Sequence, residues 1–281
     1  MKNFIYLFVS ILMLASCQQS NTENNQTSHE KDAEGMAKFA SDQEFRDKHE
    51  NPEAIAFDPM GEMVSFPTPD GKDGQAYYVK SEAPTKNYLF VIHEWWGLND
   101  HIKREADRLS KELGNVEVMA LDIYDGNVAT TREEAQEYMG AVKEERANAI
   151  IQGALNRAGA DAKIYTIGWC FGGGWSLRAS ILAGDQGNGC VMYYGMPVTE
   201  AKDLAPIKAD ILCIYADQDK WINEDVMKKF EALAKATGKN LEVKGFKADH
   251  AFANPTSPRY NEEAAQQANQ LAREFLKGKM D

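Results

Sequence analysis

The sequence has few basic side chains relative to acidic ones, and this balance argues against a nucleic acid partner. The 281 residues include 31 lysines and arginines against 43 aspartates and glutamates, which gives a formal net charge of −12 at pH 7. Because no basic stripe is present, we expect no nucleic acid partner. Acidity of this size favours a soluble monomer and carries little information about a substrate.

Spacings typical of metal ligands, phosphate-binding loops and internal repeats are also missing. The glycine run at 172–174 is not followed by the Lys-Ser/Thr pair of a phosphate loop. We therefore expect neither a metal nor another cofactor. Cysteine is scarce as well, with four in the chain. Cys190 and Cys213 lie within apolar, strand-like runs and are predicted to be buried thiols, although the sequence leaves open a disulfide between them.

The N-terminus carries the pattern of a secretion signal. Residues 4–14 form an apolar run after Lys2, which is too short for a comfortable membrane span. The run ends in Leu-Ala-Ser-Cys at 14–17, which resembles the lipobox of bacterial lipoproteins. We therefore predict a lipoprotein signal peptide over residues 1–17, a lipid on Cys17 that anchors the chain to a membrane, and a location in the bacterial cell envelope, at the periplasmic face or outer membrane. An ordinary secretion signal or an uncleaved anchor is the alternative.

The rest of the chain divides into a tether and one large domain. Residues 18–35 are polar, which predicts a flexible tether, and residues 36–50 have the spacing of a short helix, so that both occupy residues 18–54. In residues 55–281, strand and helix patterns alternate after a hairpin at 63–66 and 76–79. This order predicts an α/β domain with a doubly wound, mostly parallel sheet and helices on both faces.

Reactive side chains follow several of the predicted strands. Doubly wound sheets place their chemistry at the carboxyl ends of the strands. Glu94, Tyr124, Cys170, Asp219 and His250 each come shortly after one strand. The strands after the hairpin are expected at 88–93, 116–120, 163–168, 189–194, 210–215 and 241–246, and the helices at 100–113, 132–157 (with a break allowed), 171–182, 224–236 and 262–276.

Cys170 lies in a turn that is typical of a nucleophile. Residues 168–172 read Gly-Trp-Cys-Phe-Gly, which has the G-x-nucleophile-x-G form of a strained turn between a strand and a helix. The glycines permit close backbone approach, and the helix N-terminus favours a thiolate. The Phe171 N–H is then the first oxyanion donor. The alternative is a glycine-rich turn with a structural cysteine.

An acid and a histidine follow this thiol in the chain order nucleophile, acid, histidine. His250 is the predicted proton carrier, and Asp219 is the carboxylate that orients it. Asp217 competes for the acid role, but we favour the later aspartate because a turn precedes it. His93 is interpreted as a core residue and His101 as a solvated one. The remaining two histidines, at positions 29 and 49, precede the domain.

Taken together, these motifs resemble the dienelactone hydrolase family over residues 61–276. Four segments carry this similarity. The nucleophile turn of the family is similar to residues 168–174, and the end of the strand that follows it is similar to residues 193–195. The loop with the catalytic acid is similar to residues 217–219, and the segment with the histidine to residues 249–253. Residues 93–99 read His-Glu-Trp-Trp-Gly-Leu-Asn. This segment resembles the family segment whose glutamate carboxylate contacts the thiol in the resting enzyme. The resemblance implies an α/β-hydrolase fold, a Cys-His-Asp triad with an acyl-enzyme, and hydrolysis of small carboxylic esters or lactones, as in carboxymethylenebutenolidase. It also implies that Glu94 modulates the thiol and that the Trp95 N–H is the second oxyanion donor.

Substrate recognition departs from the family pattern. Family members that act on dienelactones hold the substrate carboxylate with two arginines. Asn254 stands at one of these positions, and Arg259 is nearby but shifted. The other position corresponds loosely to Arg132, so Arg132 and Tyr124 are the candidate substrate-binding residues, with a solvated helix residue as the alternative for Arg132. The resemblance therefore supports ester or lactone hydrolysis by a thiol more strongly than it supports a dienelactone as the substrate.

Two other functions remain open at this point. A cysteine peptidase or amidase also uses G-x-C-x-G, although a glutaminase places Glu two residues after the histidine, where this chain has Phe252. A non-catalytic envelope lipoprotein that binds a glycan or peptide is the third reading. The complete set of Cys170, Asp219 and His250 argues against that reading.

Replacement of Cys17 tests the lipid anchor. Serine lacks the thiol that the lipid modifies, so we expect Cys17→Ser to abolish labelling by palmitate and to release the protein from the membrane fraction. Metabolic labelling followed by fractionation measures both effects against the unchanged chain. Retention of the label and of membrane association in the variant would contradict the lipobox.

Overall fold

The computed structural model describes Met1 and residues 35–280. The predicted signal peptide, Cys17 and nearly all of the polar tether lie outside this range. Within the described part, none of the helices combines the length and the apolar character needed to cross a bilayer.

An eight-stranded sheet forms the framework of the described chain. Its strands are β1 (Glu62–Pro67), β2 (Asp73–Val79), β3 (Asn87–Ile92), β4 (Glu117–Leu121), β5 (Lys163–Trp169), β6 (Gly187–Tyr193), β7 (Asp210–Ala216) and β8 (Leu241–Phe246). They are arranged across the sheet as β1-β2-β4-β3-β5-β6-β7-β8. The pairs β1–β2 and β2–β4 are antiparallel and the others are parallel. The predicted mostly parallel sheet with a hairpin start is therefore confirmed.

Helices cover this sheet from both sides. They are α1 (Gln43–Asp47), α2 (Asp100–Leu113), α3 (Arg132–Ala141), α4 (Glu144–Ala158), α5 (Phe171–Ala183), α6 (Ala201–Leu204), α7 (Glu224–Ala236) and α8 (Glu262–Met280), with 3-10 turns at Gly35–Phe39 and Gly184–Gln186. Helix α2 contacts α8, and α4 contacts α5. Strand β4 is buried throughout and contacts both α2 and α4, so different helices cover its two faces. The predicted doubly wound α/β architecture is confirmed.

Two of the predicted helices are interrupted. The pattern over 132–157 splits into α3 and α4 because Val142 adopts an extended backbone. Thr131 begins α3 with a capping box to Glu134, which satisfies backbone N–H groups at the start of the helix. The segment 36–50 was expected to be one helix and forms a 3-10 turn and α1. Helix α1 begins after Asp42, whose carboxylate accepts a hydrogen bond from the Phe45 N–H at 3.1 Å.

The N-terminal segment, defined here as residues 35–50, packs against the domain. Met36 and Phe45 are buried, and the Phe45 ring meets Trp95 and Trp221 edge-on at centroid distances of 5.7 and 5.2 Å. The sequence assigned this segment to a tether and helix ahead of a domain that begins at residue 55. The compact unit instead includes the segment, because aromatic side chains of the domain cover its apolar residues.

Cys190 and Cys213 are buried, free thiols on β6 and β7. Cys190 Sγ lies 3.7 Å from Ser176 Oγ, and Cys213 Sγ lies 3.3 Å from Met227 Sδ. Burial raises the pKa of Cys190 to about 11, so this thiol is protonated at neutral pH. The disulfide that the sequence left open is not formed between these two residues.

Candidate active site

Cys170 occupies a strained turn between β5 and α5. Its backbone has φ 53° and ψ −117°, a conformation that costs a non-glycine residue about 1–3 kcal/mol. The Cys170 N–H donates to the Tyr193 carbonyl at 3.0 Å. A Cβ on Gly168 would lie 2.1 Å from the Gly172 carbonyl oxygen, and one on Gly172 would lie 2.2 Å from the Ile92 carbonyl oxygen. The two glycines therefore permit the close backbone approach that holds the turn.

A buried hydrogen-bonded relay leads from an aspartate to this thiol. His250 Nε2 lies 3.2 Å from Cys170 Sγ, and His250 Nδ1 lies 2.6 Å from Asp219 Oδ2. The other oxygen of Asp219 accepts hydrogen bonds from the Trp221 and Ile222 N–H groups at 2.8 and 3.1 Å. Both carboxylate oxygens are thus satisfied, and the imidazole is fixed with Nδ1 toward the acid and Nε2 toward the sulfur.

Asp217, the competing acid, lies on the same loop but faces solvent. Its backbone N–H donates to the Phe246 carbonyl at 2.9 Å. The side chain that reaches His250 belongs to Asp219, which is buried. Of the two aspartates, Asp219 is therefore the one that contacts His250, and its role as the acid stays a prediction.

The charges of the relay favour a protonated imidazole. Burial alone lowers the pKa of His250, but the negative charges of Asp219 and Cys170 outweigh it and raise this pKa to about 10. Burial alone raises the pKa of Asp219, but the charge of His250 and the hydrogen bonds to the carboxylate hold that pKa below its usual value. The geometry therefore stabilises an aspartate–imidazolium pair next to the sulfur.

Glu94 follows β3 and lines a cavity with Cys170. Asn254 Nδ2 donates to Glu94 Oε2, while Oε1 is buried and has no hydrogen-bond partner in the described chain. Burial raises the pKa of Glu94 to about 7, against the opposing effects of the His250 charge and the Asn254 hydrogen bond. The resemblance led us to expect an arginine at position 254, but Asn254 is present and contacts this carboxyl.

The two expected oxyanion donors come from the start of α5 and from the turn after β3. Phe171 is the first residue of α5, so its N–H has no acceptor within the helix. Trp95 comes directly after Glu94, in a turn closed by the Gly97 N–H and the Glu94 carbonyl at 3.1 Å. Tyr124 is a candidate substrate ligand by sequence. Its hydroxyl donates to the Trp95 carbonyl at 3.2 Å, so Tyr124 helps to hold the turn that contains Trp95.

Arg132, the other sequence candidate for substrate binding, points to the N-terminal segment. Its Nε donates to the His49 carbonyl, and its Nη1 lies 3.7 Å from Asp47 Oδ1. Arg132 does not line the cavity that holds Cys170. The structure therefore gives Arg132 a role in fixing residues 35–50, because the start of α3 lies next to that segment.

His49 is a site residue that sequence reasoning missed. Its Nδ1–H donates to the Phe45 carbonyl at 2.6 Å, and its ring lies 4.5 Å from the Trp95 ring and 5.5 Å from the His250 ring, measured between centroids. Burial, followed by the charges of His250 and Arg259, lowers the pKa of His49 well below its usual value. The neutral ring thus presents Nε2 as an acceptor. The apolar spacing of residues 36–50 indicated a packing face but not its target.

Arg259 is the second residue whose role the sequence did not assign. Its side chain lines the Cys170 cavity. All three guanidinium nitrogens are buried and lack hydrogen-bond partners within residues 35–280. A neighbouring cavity shares Glu94, Trp96 and Asn254 with the first. The Cys170 thiol therefore faces a pocket made of two adjoining cavities. The guanidinium of Arg259, which has no hydrogen-bond partner in the described residues, lies on its wall.

A nucleophile turn on a doubly wound sheet is the mark of the α/β-hydrolases, and this chain is one of them. The chain belongs to the dienelactone hydrolase family, whose model matches residues 75–280. It is 28% identical over 260 residues to a carboxymethylenebutenolidase-like protein of Saccharolobus solfataricus, covering 77% of this chain and 98% of the relative. It is 29% identical over 211 residues to protein usf of Aquifex pyrophilus, covering 69% and 88%.

Solved structures show the same fold. A dienelactone hydrolase from Anabaena variabilis aligns with a TM-score of 0.60 and 17% identity over 79% of this chain and 99% of that one. A dienelactone-hydrolase-like promiscuous phosphotriesterase from metagenomic libraries aligns with a TM-score of 0.66 and 20% identity, over 78% and 99%. With the family match, these findings make the chain a carboxylic ester hydrolase.

The buried Glu94 predicts a pH-dependent stability. Its pKa of about 7 means that the folded protein holds a proton that the unfolded chain, with a pKa near 4.5, has released. Stability therefore falls as the pH rises between those values. Glu94→Gln removes this loss, and its amide oxygen still accepts from Asn254. We expect the variant to exceed the wild type by up to about 3 kcal/mol at pH 8, with a smaller difference at pH 5.

Urea unfolding at the two pH values measures this difference. Glu137→Gln, on the exposed face of α3, supplies the baseline for removing a carboxylate from the surface. If the gain from Glu94→Gln is the same at pH 5 and pH 8, Glu94 does not carry the proton assigned to it.

Proposed function

We propose that this hydrolase cleaves small esters or lactones through an acyl-thioester on Cys170, with His250 and Asp219 completing a catalytic triad. The observation that carries the proposal is the buried relay, with 3.2 Å between Cys170 Sγ and His250 Nε2 and 2.6 Å between His250 Nδ1 and Asp219 Oδ2. These distances suit transfer of one proton between sulfur and imidazole while the aspartate holds the ring.

The proposed reaction has two halves. The Cys170 sulfur attacks the carbonyl carbon, and the resulting oxyanion faces the N–H groups of Trp95 and Phe171. Collapse of this intermediate breaks the bond to the alkoxide, which takes the proton from His250. Water then attacks the thioester as His250 removes its proton, and cleavage of the carbon–sulfur bond restores the thiol. With a lactone the alkoxide stays attached to the acyl group, so the product is one hydroxy acid.

Glu94 controls the charge of the cavity in this scheme. An ionised carboxylate next to the sulfur disfavours a thiolate, whereas a protonated one does not. A pKa of about 7 lets Glu94 exist in either form near neutral pH. Oε1 has no partner within hydrogen-bond geometry in the described structure, although the nearby Tyr194 hydroxyl also lowers the pKa of this carboxyl, so Oε1 can accept a hydrogen bond when a substrate enters.

Arg259 selects the class of substrate. A guanidinium that is buried without a hydrogen-bond partner is costly, and a carboxylate that binds two of its nitrogens removes that cost. Because Arg259 lines the cavity with Cys170, the favoured substrate is an ester or lactone that also carries a carboxylate. Arg259 thus binds the substrate carboxylate, the role that the resemblance led us to expect at positions 254 and 132.

We also propose an envelope location for the enzyme, with a lipid on Cys17 as the membrane contact. Its support is the apolar run at 4–14 and the Leu-Ala-Ser-Cys sequence that follows it. The lipid leaves the catalytic domain outside the bilayer, in contact with small soluble substrates.

The acid of the triad is tested by two aspartates of one loop. Asp219→Asn leaves the size of the side chain unchanged but removes the charge that stabilises the imidazolium, so we expect kcat/KM for an aryl acetate to fall at least about 100-fold. Asp217→Asn is the matched control and is expected to stay within about twofold of the wild type, because Asp217 is exposed. A silent Asp219→Asn with an inactive Asp217→Asn would show that the acid is wrongly assigned.

The role of Arg259 is tested with a pair of esters that differ in charge. For an aryl hydrogen succinate, we expect Arg259→Met to lower kcat/KM about 10–100-fold, as a lost charge-assisted hydrogen bond predicts. The rate for the matching neutral ester is expected to change far less. Arg132→Met is the control, and it is expected to leave the ratio of the two rates unchanged. If Arg132→Met alters this ratio and Arg259→Met does not, the substrate carboxylate binds elsewhere.

A further inference from the structure

Two buried histidines and the Cys170 thiol form a cluster with metal-binding chemistry. One ligand atom from each of His49, Cys170 and His250 lies within 4.8 Å of the other two. All three residues are buried, with exposed fractions of 5%, 1% and 0%. A thiolate and two imidazoles form a soft ligand set that suits Zn²⁺ rather than Mg²⁺ or Ca²⁺.

The hydrogen bonds of the two histidines leave the same nitrogen available on each ring. His49 Nδ1 donates to the Phe45 carbonyl at 2.6 Å, and His250 Nδ1 lies 2.6 Å from Asp219 Oδ2. Zinc-bound histidines almost always use their second nitrogen in this way, with a backbone carbonyl or a carboxylate as the acceptor. Both rings are therefore oriented as ligands through Nε2.

His49 Nε2 is the part of the cluster that the proposed hydrolysis does not use. It is buried and has no hydrogen-bond partner within residues 35–280. A buried acceptor without a partner costs about 1–3 kcal/mol, which a bound cation offsets. His49 also lies outside residues 75–280, the part of the chain that the family model matches.

We propose that His49, Cys170 and His250 bind one Zn²⁺ reversibly, and that the zinc-bound enzyme is inactive. The cation displaces to solvent the one proton shared by Cys170 and His250, and water supplies the fourth ligand. Bond lengths of 2.0–2.3 Å place neighbouring ligands of a tetrahedral zinc about 3.5 Å apart. The longest separation between ligand atoms therefore has to shrink from at most 4.8 Å to about 3.5 Å, which movement of His49 with the short N-terminal segment supplies.

The charges around the cluster balance a divalent cation. Arg259 lines the same cavity and opposes zinc. The carboxylates of Glu94 and Asp219, together with the thiolate of Cys170, offset both the arginine and the metal. Inhibition follows because zinc occupies the sulfur lone pair needed for attack and the imidazole nitrogen needed for proton transfer.

Zinc affinity and hydrolysis can be measured separately on the purified, chelator-treated chain. We expect Zn²⁺ to bind in a 1:1 ratio and to stop hydrolysis of an aryl acetate, and EDTA to restore the rate. Co²⁺ in place of zinc is expected to show a thiolate-to-cobalt charge-transfer band that Cys170→Ala lacks. His49→Gln is expected to weaken zinc binding and zinc inhibition at least about tenfold, since even the loss of a hydrogen-bond partner of a ligand costs about 10–100-fold.

His101→Gln is the matched control, because His101 bonds to the Glu53 carbonyl through Nε2 and is not part of the cluster. It is expected to bind zinc as the wild type does. Equal zinc affinity of His49→Gln and wild type, or a cobalt complex without the thiolate band, would overturn the site. Binding at the cluster without loss of activity would overturn the inhibition.

X-ray absorption at the zinc edge of the wild-type complex gives a test that does not depend on the folding of any variant. One sulfur and two imidazole nitrogens around the metal are expected. A shell without sulfur would overturn the proposal. Because these readouts report binding, they stay valid even if Cys170 turns out not to be the hydrolytic nucleophile.

Discussion

The buried contact between Asp219 and His250 is the interaction on which the site depends. An ionised carboxylate removed from water costs several kcal/mol unless its oxygens are satisfied. Here His250 satisfies one oxygen, at 2.6 Å, and the backbone N–H groups of Trp221 and Ile222 satisfy the other. The stabilised imidazolium then lies 3.2 Å from the Cys170 sulfur. Loss of any one partner leaves a buried charge behind, so the structure and the chemistry of the site are coupled.

This burial is completed by residues that precede the part of the chain matched by the family. The N-terminal segment places Phe45 and His49 against Trp95 and His250. Polar contacts hold the segment in place. They are the hydrogen bond of 3.0 Å from Trp221 Nε1 to Asp42 Oδ2 and the ion pair of 3.1 Å between Lys48 and Asp249. The segment therefore belongs to the active site as well as to the surface of the domain.

The sequence predicted the parts of the site that are encoded locally. The turn around Cys170 is a short motif, and Asp219 and His250 could be recognised from their order and from the strands before them. Asn254 and Glu94 lie 160 residues apart in the chain, and no local pattern encodes their contact. For the same reason Arg132 was taken for a substrate ligand, although it fixes the His49 carbonyl.

The positions of the strands and of most helices along the chain followed from periodicity, because each element buries one face or both in a regular way. The roles of His49 and Arg259 did not follow, since each depends on which buried polar atoms remain without a partner after folding. Such atoms become visible when every hydrogen bond of the folded chain is assigned. They are also the atoms on which the proposed substrate selection and the proposed zinc site depend.

The most direct test of the account is to trap the acyl group on the enzyme. Acid quenching within the first turnover of an aryl ester, followed by peptide mass mapping, locates the modified residue. We expect a mass increase equal to the acyl group on the peptide that contains Cys170, and loss of that adduct after treatment with hydroxylamine. Full turnover with an unmodified Cys170 peptide at every quench time would contradict it.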